Sequence, residues 1–157
     1  MGLYATFHLD EHLFGQSIPM IREIIRSSAI TPVPHAAKHI RGLINLRGQV
    51  VTILDLAVRL GMPRREIQET SHIIILKTNG ELASMQSRGE GRGLQTSADV
   101  VGFLVDSIGD VVEADEATIE PPSANVSESE GHFLSGVLKT DIGLLVLLDI
   151  PEVLNGE

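Results

Sequence analysis

Along the chain, short apolar runs alternate with polar breaks rich in glycine, proline and acids. Leu3, Ala5, Phe7 and Leu9 alternate with Tyr4, Thr6 and His8, the two-residue period of a half-buried strand. Ile73-Ile74-Ile75-Leu76 shows no alternation and is read as a strand covered on both faces. Between that run and the next lies Asn79 to Asp99, long and polar, with Ser84, Ser87, Gly89, Gly91 and Gly93. Its composition predicts a mobile loop.

The pattern repeats within the chain. The segment Gly42 to Leu56 lies without gaps over Gly136 to Ile150, glycine on glycine at the start and Asp55 on Asp149 near the end, with the apolar positions in register. Each copy predicts strand, tight turn, strand and a short helix. Asp55 and Asp149 stand where a side-chain oxygen caps the first free N–H groups of the helix, and Gly61 is placed to end the first one. Arg47-Gly48 and Asp141-Ile142-Gly143 supply the hairpin turns. Upstream, Gly15 to Ile25 matches Gly102 to Val112 in its apolar positions, and Thr31-Pro32-Val33-Pro34 and Glu120-Pro121-Pro122 precede the two hairpins. The simplest architecture is two copies of a small β-unit, each curled into a barrel and packed on its twin, because an open sheet of this size cannot cover both of its faces.

Composition narrows the function. The 157 residues are 43% hydrophobic, enough for one unit or two small lobes with a common core, and the core is aliphatic, since aromatics are 3% and Trp is absent. With no Cys there are no disulfides, thiolate metal sites or cysteine nucleophiles. No run reaches the ~20 apolar residues of a membrane span and no basic leader opens the chain, so a cytoplasmic protein without direct membrane insertion is expected. The net charge of -9 disfavours nucleic acid as a partner. It is unevenly spread: residues 1–78 hold nine Lys and Arg against six Asp and Glu, and residues 79–157 hold three against fifteen. Oppositely charged halves suit either two solvated faces or the orientation of partners.

Candidate chemistry is sparse. His8-Leu9-Asp10-Glu11-His12 fits the His-x-x-Glu-His pattern of a zinc hydrolase, but that chemistry needs a helix to bring both imidazoles to one metal, and here His8 belongs to an alternating strand. His35 and His39 are helically spaced without a third ligand nearby and are read as exposed histidines. Gly89-Glu90-Gly91-Arg92-Gly93 lacks the strand and the Gly-Lys-Ser/Thr of a phosphate cradle. Asp115-Glu116 and Glu128-Ser129-Glu130 are read as solvated carboxylates, with nothing to separate their proton affinities as acid–base work requires. No catalytic residue, metal or cofactor is assigned. What remains is a charged pair: Arg47 at the first hairpin turn and Glu23 on a strand of the same unit. It is either an ordinary surface ion pair or part of a groove for a partner helix.

Val33-Pro34, Ile40 to Gly48, Ile53 to Leu56, Val101 to Ile108 and the stretch from Gly136 to Ile150 occur in the order found in the CheW family of bacterial chemotaxis coupling proteins, which the chain resembles from Leu3 to Leu154. The resemblance implies a mainly β fold of two SH3-like five-stranded barrels around a shared hydrophobic core, with short helices. It divides a single domain into one subdomain over about 14–68 and another over about 1–13 plus 69–157. It implies an adaptor, not an enzyme, that couples the cytoplasmic tips of methyl-accepting chemoreceptors to the regulatory domain of the histidine kinase CheA. Membrane arrays are then reached only through those partners. On this resemblance, positions Glu23, Ile24, Asn45, Arg47 and Gly48 bind the receptor helix near the groove between barrels, and Val50 and Ile53 face the kinase. The same scaffold in a kinase array controlling pili or a second messenger is the alternative. Thr52 departs from the Pro often found there, and the 79–99 segment is longer than is usual in the family. With no receiver domain after Leu154, the fused adaptor–receiver CheV is a poorer match.

Overall fold

This computed structural model describes residues 2–27, 29–90, 93–121, 133–141 and 143–155. Gly91, Arg92, Pro122, the Glu128-Ser129-Glu130 acids and Ile142, singled out above, lie outside them. Among the described residues the strands are β1 Gly2–Leu9, β2 His12–Ser17, β3 Ile21–Arg26, β4 Ile40–Leu46, β5 Gln49–Asp55, β6 His72–Leu76, β7 Val101–Val105, β8 Ser107–Ala114, β9 Leu134–Thr140 and β10 Gly143–Leu148. The helices are α1 Leu56–Arg59, α2 Asn79–Gln86 and α3 Ile150–Leu154, with 3-10 turns at Ile18–Met20 and Glu116–Thr118.

The internal repeat is a repeat of topology. One five-stranded sheet has the order β8-β1-β2-β10-β9 and the other β3-β6-β7-β5-β4. Position for position the orders correspond: each has two antiparallel neighbours, a parallel central pair (β2 with β10, β7 with β5) and a closing hairpin. Even a single flanking bridge recurs, Thr31 to Leu43 in one copy and Glu120 to Val137 in the other. Both aspartates cap as expected, Asp55 accepting from Val58 N–H and Asp149 from Glu152 N–H, each at 3.3 Å. Gly61 follows α1 with φ +92.

Among the described residues the hydrogen-bonded ladders do not close into full barrels. The sheets curl instead, so that Arg47, at the tip of the β4–β5 hairpin, reaches Glu23 on β3, the strand at the far end of the order. In the other sheet the curl leaves a cleft of about 500 Å³ between its outer strands β8 and β9. The sheets also divide the chain elsewhere than at 68/69. β2 stays with β1, the chain crosses over at Ile18–Met20, and it remains in the second sheet through β6 and β7 until Asp106 returns it. Strands buried on both faces carry no signal of which sheet they join.

Three apolar layers result. Ile73 and Ile75 point into the core of their own lobe with Ile44, Val51 and Ile53, while Ile74 and Leu76 point the other way into the core shared by both lobes. In that shared core Phe7 stacks on Phe14, ring centres 5.8 Å apart. A smaller core of Tyr4, Leu138, Leu145 and Leu147 fills the other lobe. The strict alternation expected for β1 holds only toward its end. Tyr4 and Thr6 are buried and Leu3 is exposed, because β1 lies inside its sheet with both faces covered.

Side chains fasten the lobes to each other. Arg59 of α1 donates to the carbonyls of Val153, at 2.8 Å, and Asn155 at the end of α3, and it lies over the Phe133 ring, 4.9 Å from the ring centre. Arg65 binds Asp10 of the β1–β2 turn at 2.8 Å and the crossover residue Asp106 at 2.7 Å.

Candidate functional site

The expected receptor-facing residues gather at one end of the β3–β7 sheet. Leu46 pairs with Gln49, leaving Arg47 (φ +51) and Gly48 (φ +88) as a two-residue turn with both φ positive. Asn45 Oδ1 accepts from the Gly48 N–H at 2.8 Å and holds that turn in shape. The Arg47 guanidinium ion-pairs with Glu23, and Ile24, next along β3, is 37% exposed. The Arg47 side chain is 69% exposed, so the pair contributes at most about 1 kcal/mol to stability.

The two positions expected to face the kinase part company. Val50 is 62% exposed, whereas Ile53 is fully buried in the core of its lobe. The period of a strand explains the difference: Val51 and Ile53 point inward, so Ile53 supports the hairpin from beneath and presents no surface. His39 is a second correction. It is buried, and its carbonyl accepts from the Asp55 N–H at 2.6 Å, whereas His35 is exposed with φ +65. His8 and His12 face different positions of the β1–β2 hairpin, opposite Leu13 and Leu9, so the helical spacing a zinc hydrolase needs is not present. Among the described residues no group of three His, Cys, Asp or Glu is arranged to hold a metal. None of their helices is long and apolar enough to cross a membrane.

A groove of about 710 Å³ opens at the joint between lobes. Its apolar floor comes from Leu3 at the start of β1 and from Ile18, Pro19 and Ile21 at the crossover. Arg47 and Glu23 do not line it. They stand beside it, connected through Arg22, which lies between Ile21 and Glu23 on β3.

Arg22 leads to the main surprise. The 79–99 segment is not a plain loop: it begins with α2, capped by Thr78, whose hydroxyl accepts from Glu81 N–H while Glu81 accepts from Thr78 N–H. Thr78-Asn79-Gly80-Glu81 carries the Thr-x-x-Glu signal of such a cap, at the head of a stretch whose serines and glycines predict a loop. Leu82 is buried, and Arg22 grips Glu81 through two donors, at 3.1 and 2.5 Å, while donating to Gln49 at 2.8 Å. Thr96 returns to Asn79 Oδ1 and to the Lys77 carbonyl, at 2.8 and 2.6 Å.

Burial on its own would raise the Glu81 carboxyl, but the Arg22 fork and the Thr78 N–H outweigh it and hold the group below its ordinary range. A carboxyl lowered by folding stabilises the fold above its ordinary pKa, and that contribution is lost as pH falls through the lowered value. α2 is therefore expected to loosen from β3 below about pH 4. The methyl carbon resonance of Met85 should shift there, and Glu81→Gln should abolish the step. A Met85 signal that titrates identically in the variant excludes Glu81 as the cause.

Two open, curled five-stranded sheets of one topology, sharing a core, define the class: a doubled SH3-like β scaffold with a groove at its joint. Residues 3–157 match the family described as CheW-like domain. The chain is 32% identical to the chemotaxis protein CheW of Rhizobium meliloti (strain 1021) over 152 residues, covering 97% of this chain and 86% of the relative. It is 32% identical to that of Thermotoga maritima over 151 residues, covering 96% and 85%. The crystal structure of scaffolding protein TtCheW from Thermoanaerobacter tengcongensis superposes with a TM-score of 0.78 at 28% identity, covering 99% of this chain and 90% of that one. This chain belongs to the CheW-like family.

Proposed function

We propose that this chain is a chemotaxis coupling adaptor that joins the cytoplasmic tips of methyl-accepting receptors to the regulatory domain of the histidine kinase CheA. The observation that carries the reading is the open groove at the joint, whose apolar floor faces solvent in a chain matched over nearly its whole length by chemotaxis coupling relatives. An amphipathic receptor helix covers such a floor with its apolar stripe. Glu23, Asn45, Arg47 and Gly48, with Ile24, form a mostly polar shoulder beside the groove, and Val50, paired with Asn45 across the same hairpin and held up by Ile53, offers the kinase an exposed apolar anchor. The adaptor works from the cytoplasmic side of receptor arrays by holding its partners together.

Because Arg47 is largely solvated and Glu23 only half-buried, loss of the pair should leave the fold intact and appear in binding. Arg47→Ala and Glu23→Ala are each expected to weaken binding to a receptor signalling-tip fragment about tenfold, ~1.4 kcal/mol, with thermal midpoints close to the parent. Val50→Glu is expected to weaken the kinase regulatory domain and spare the tip. Calorimetry against both fragments reads these outcomes. Parental tip affinity in both charge variants removes the shoulder from the site, and parental kinase affinity in Val50→Glu removes the anchor.

A further inference from the structure

The groove has a wall that the doubled fold does not require. α2 and the residues after it connect β6 to β7, and the corresponding strands of the other sheet, β1 and β2, are joined by Asp10 and Glu11 alone. A turn that short suffices for this topology. The longer connection is nonetheless built into the molecule. Lys77 Nζ donates to the Pro19 carbonyl at 3.0 Å and meets Met85 Sδ at 3.3 Å, Arg22 holds Glu81, Leu82 is buried, and Gln86 donates to the Leu94 carbonyl at 3.0 Å. These anchors seat the segment against β3 and the crossover turn and leave Met85, Arg88 and Leu94 lining the groove, opposite Leu3 and Glu116 of the other lobe.

Resting on the reading of the groove as the receptor site, we propose that α2 and Leu94 are a third wall of it, and that Met85, Arg88 and Leu94 touch the bound receptor helix and select among receptor tips. The rims say what fits. Met85 and Leu94 extend the apolar floor upward on one side, so the occupant is a helix whose apolar stripe continues onto one flank. Lys77 and Arg88 outnumber Glu90 on the α2 side, and Glu116 stands on the other. The preferred helix therefore carries acid on the flank toward α2 and base on the flank toward Glu116. Tips that lack this arrangement bind through the floor alone.

The chain has no cysteine, so one introduced thiol reports one position. Met85→Cys and Leu3→Cys are each paired with a receptor-tip fragment carrying single cysteines walked along one helix, and disulfide formation is scored. Both thiols are expected to cross-link at positions spaced three and four apart, on opposite flanks of one stripe. In calorimetry, Met85→Ala combined with Arg88→Ala is expected to weaken the best-bound tip about fivefold and to narrow its advantage over poorly bound tips. Cross-linking from Leu3→Cys with none from Met85→Cys overturns the wall and leaves the groove standing. Tip binding without cross-links from either thiol overturns both. A parent protein that binds no tip overturns the receptor reading itself, and the wall with it.

Discussion

Gly42→Ala is expected to cost the chain about 3 kcal/mol or more, and Gly136→Ala about half of that, although the two glycines are the same position of the repeat. Gly42 has φ +146, and a Cβ there would lie 2.1 Å from the Thr31 carbonyl oxygen. That oxygen is fixed. It accepts from Leu43 N–H at 2.9 Å while Thr31 N–H donates back to Leu43 at 2.8 Å, so the incoming methyl must break the bridge or push β4 from its partner. A backbone conformation that only glycine adopts readily costs ~1–3 kcal/mol in another residue, and the overlap costs ~1–3 kcal/mol more. At Gly136 the nearest atom is the Ile119 Cγ2 methyl at 2.5 Å, with the Glu120 carbonyl oxygen at 3.0 Å. A half-buried isoleucine can turn aside, and the backbone there is not in the left-handed region. Urea unfolding of both variants measures the difference. Equal losses, or a larger one at Gly136, would show that the unusual φ at Gly42 is not what the glycine is for.

The glycine pair also shows what the sequence made legible. Gly42 over Gly136, and Asp55 over Asp149, marked the start of each closing hairpin and the cap of each helix, because those positions depend on local backbone geometry that only certain residues satisfy. Whatever depended on contacts distant in sequence was not marked. The apolar runs of β6 and β7 suit either sheet, so their membership was settled by which core Ile73 and Ile74 fill. Period two in β5 was sufficient to separate Val50 from Ile53, yet the family resemblance grouped them by proximity in the chain. The sequence puts Arg47 and Glu23 in one unit without bringing them together, and they meet because the sheet curls. The crossover at Ile18–Met20 carries no mark of its own: the match of Gly15–Ile25 to Gly102–Val112 runs straight through it, and only a fold with two lobes turns Ile18, Pro19 and Ile21 into the floor of a groove.

Arg41→Leu is expected to be among the most damaging changes that leave every strand intact. The side chains of Arg41 and Asp55 are 6% and 4% exposed, with Arg41 Nε 3.4 Å from Asp55 Oδ2, an ion pair without the alignment of a hydrogen bond. Arg41 Nη2 donates instead to the Arg65 carbonyl at 2.5 Å, while Asp55 spends its other oxygen on the α1 cap. Burial lowers the Arg41 guanidinium from its ordinary value and Asp55 restores part of it, so the pair itself adds little net stability. Removing one partner is different, because a carboxylate is then left charged in the lobe. The expected loss is about 3–5 kcal/mol. The repeat supplies the comparison: Asp149 caps α3 in the same way with Ser135 where Arg41 would stand, and, being only half-buried, it keeps access to water. Arg41→Leu combined with Asp55→Asn should accordingly recover most of the loss, since Asn caps nearly as well and carries no charge. Urea unfolding of both variants separates charge from packing: a double variant as weak as Arg41→Leu alone would assign the damage to packing and leave the buried charge without a part in it.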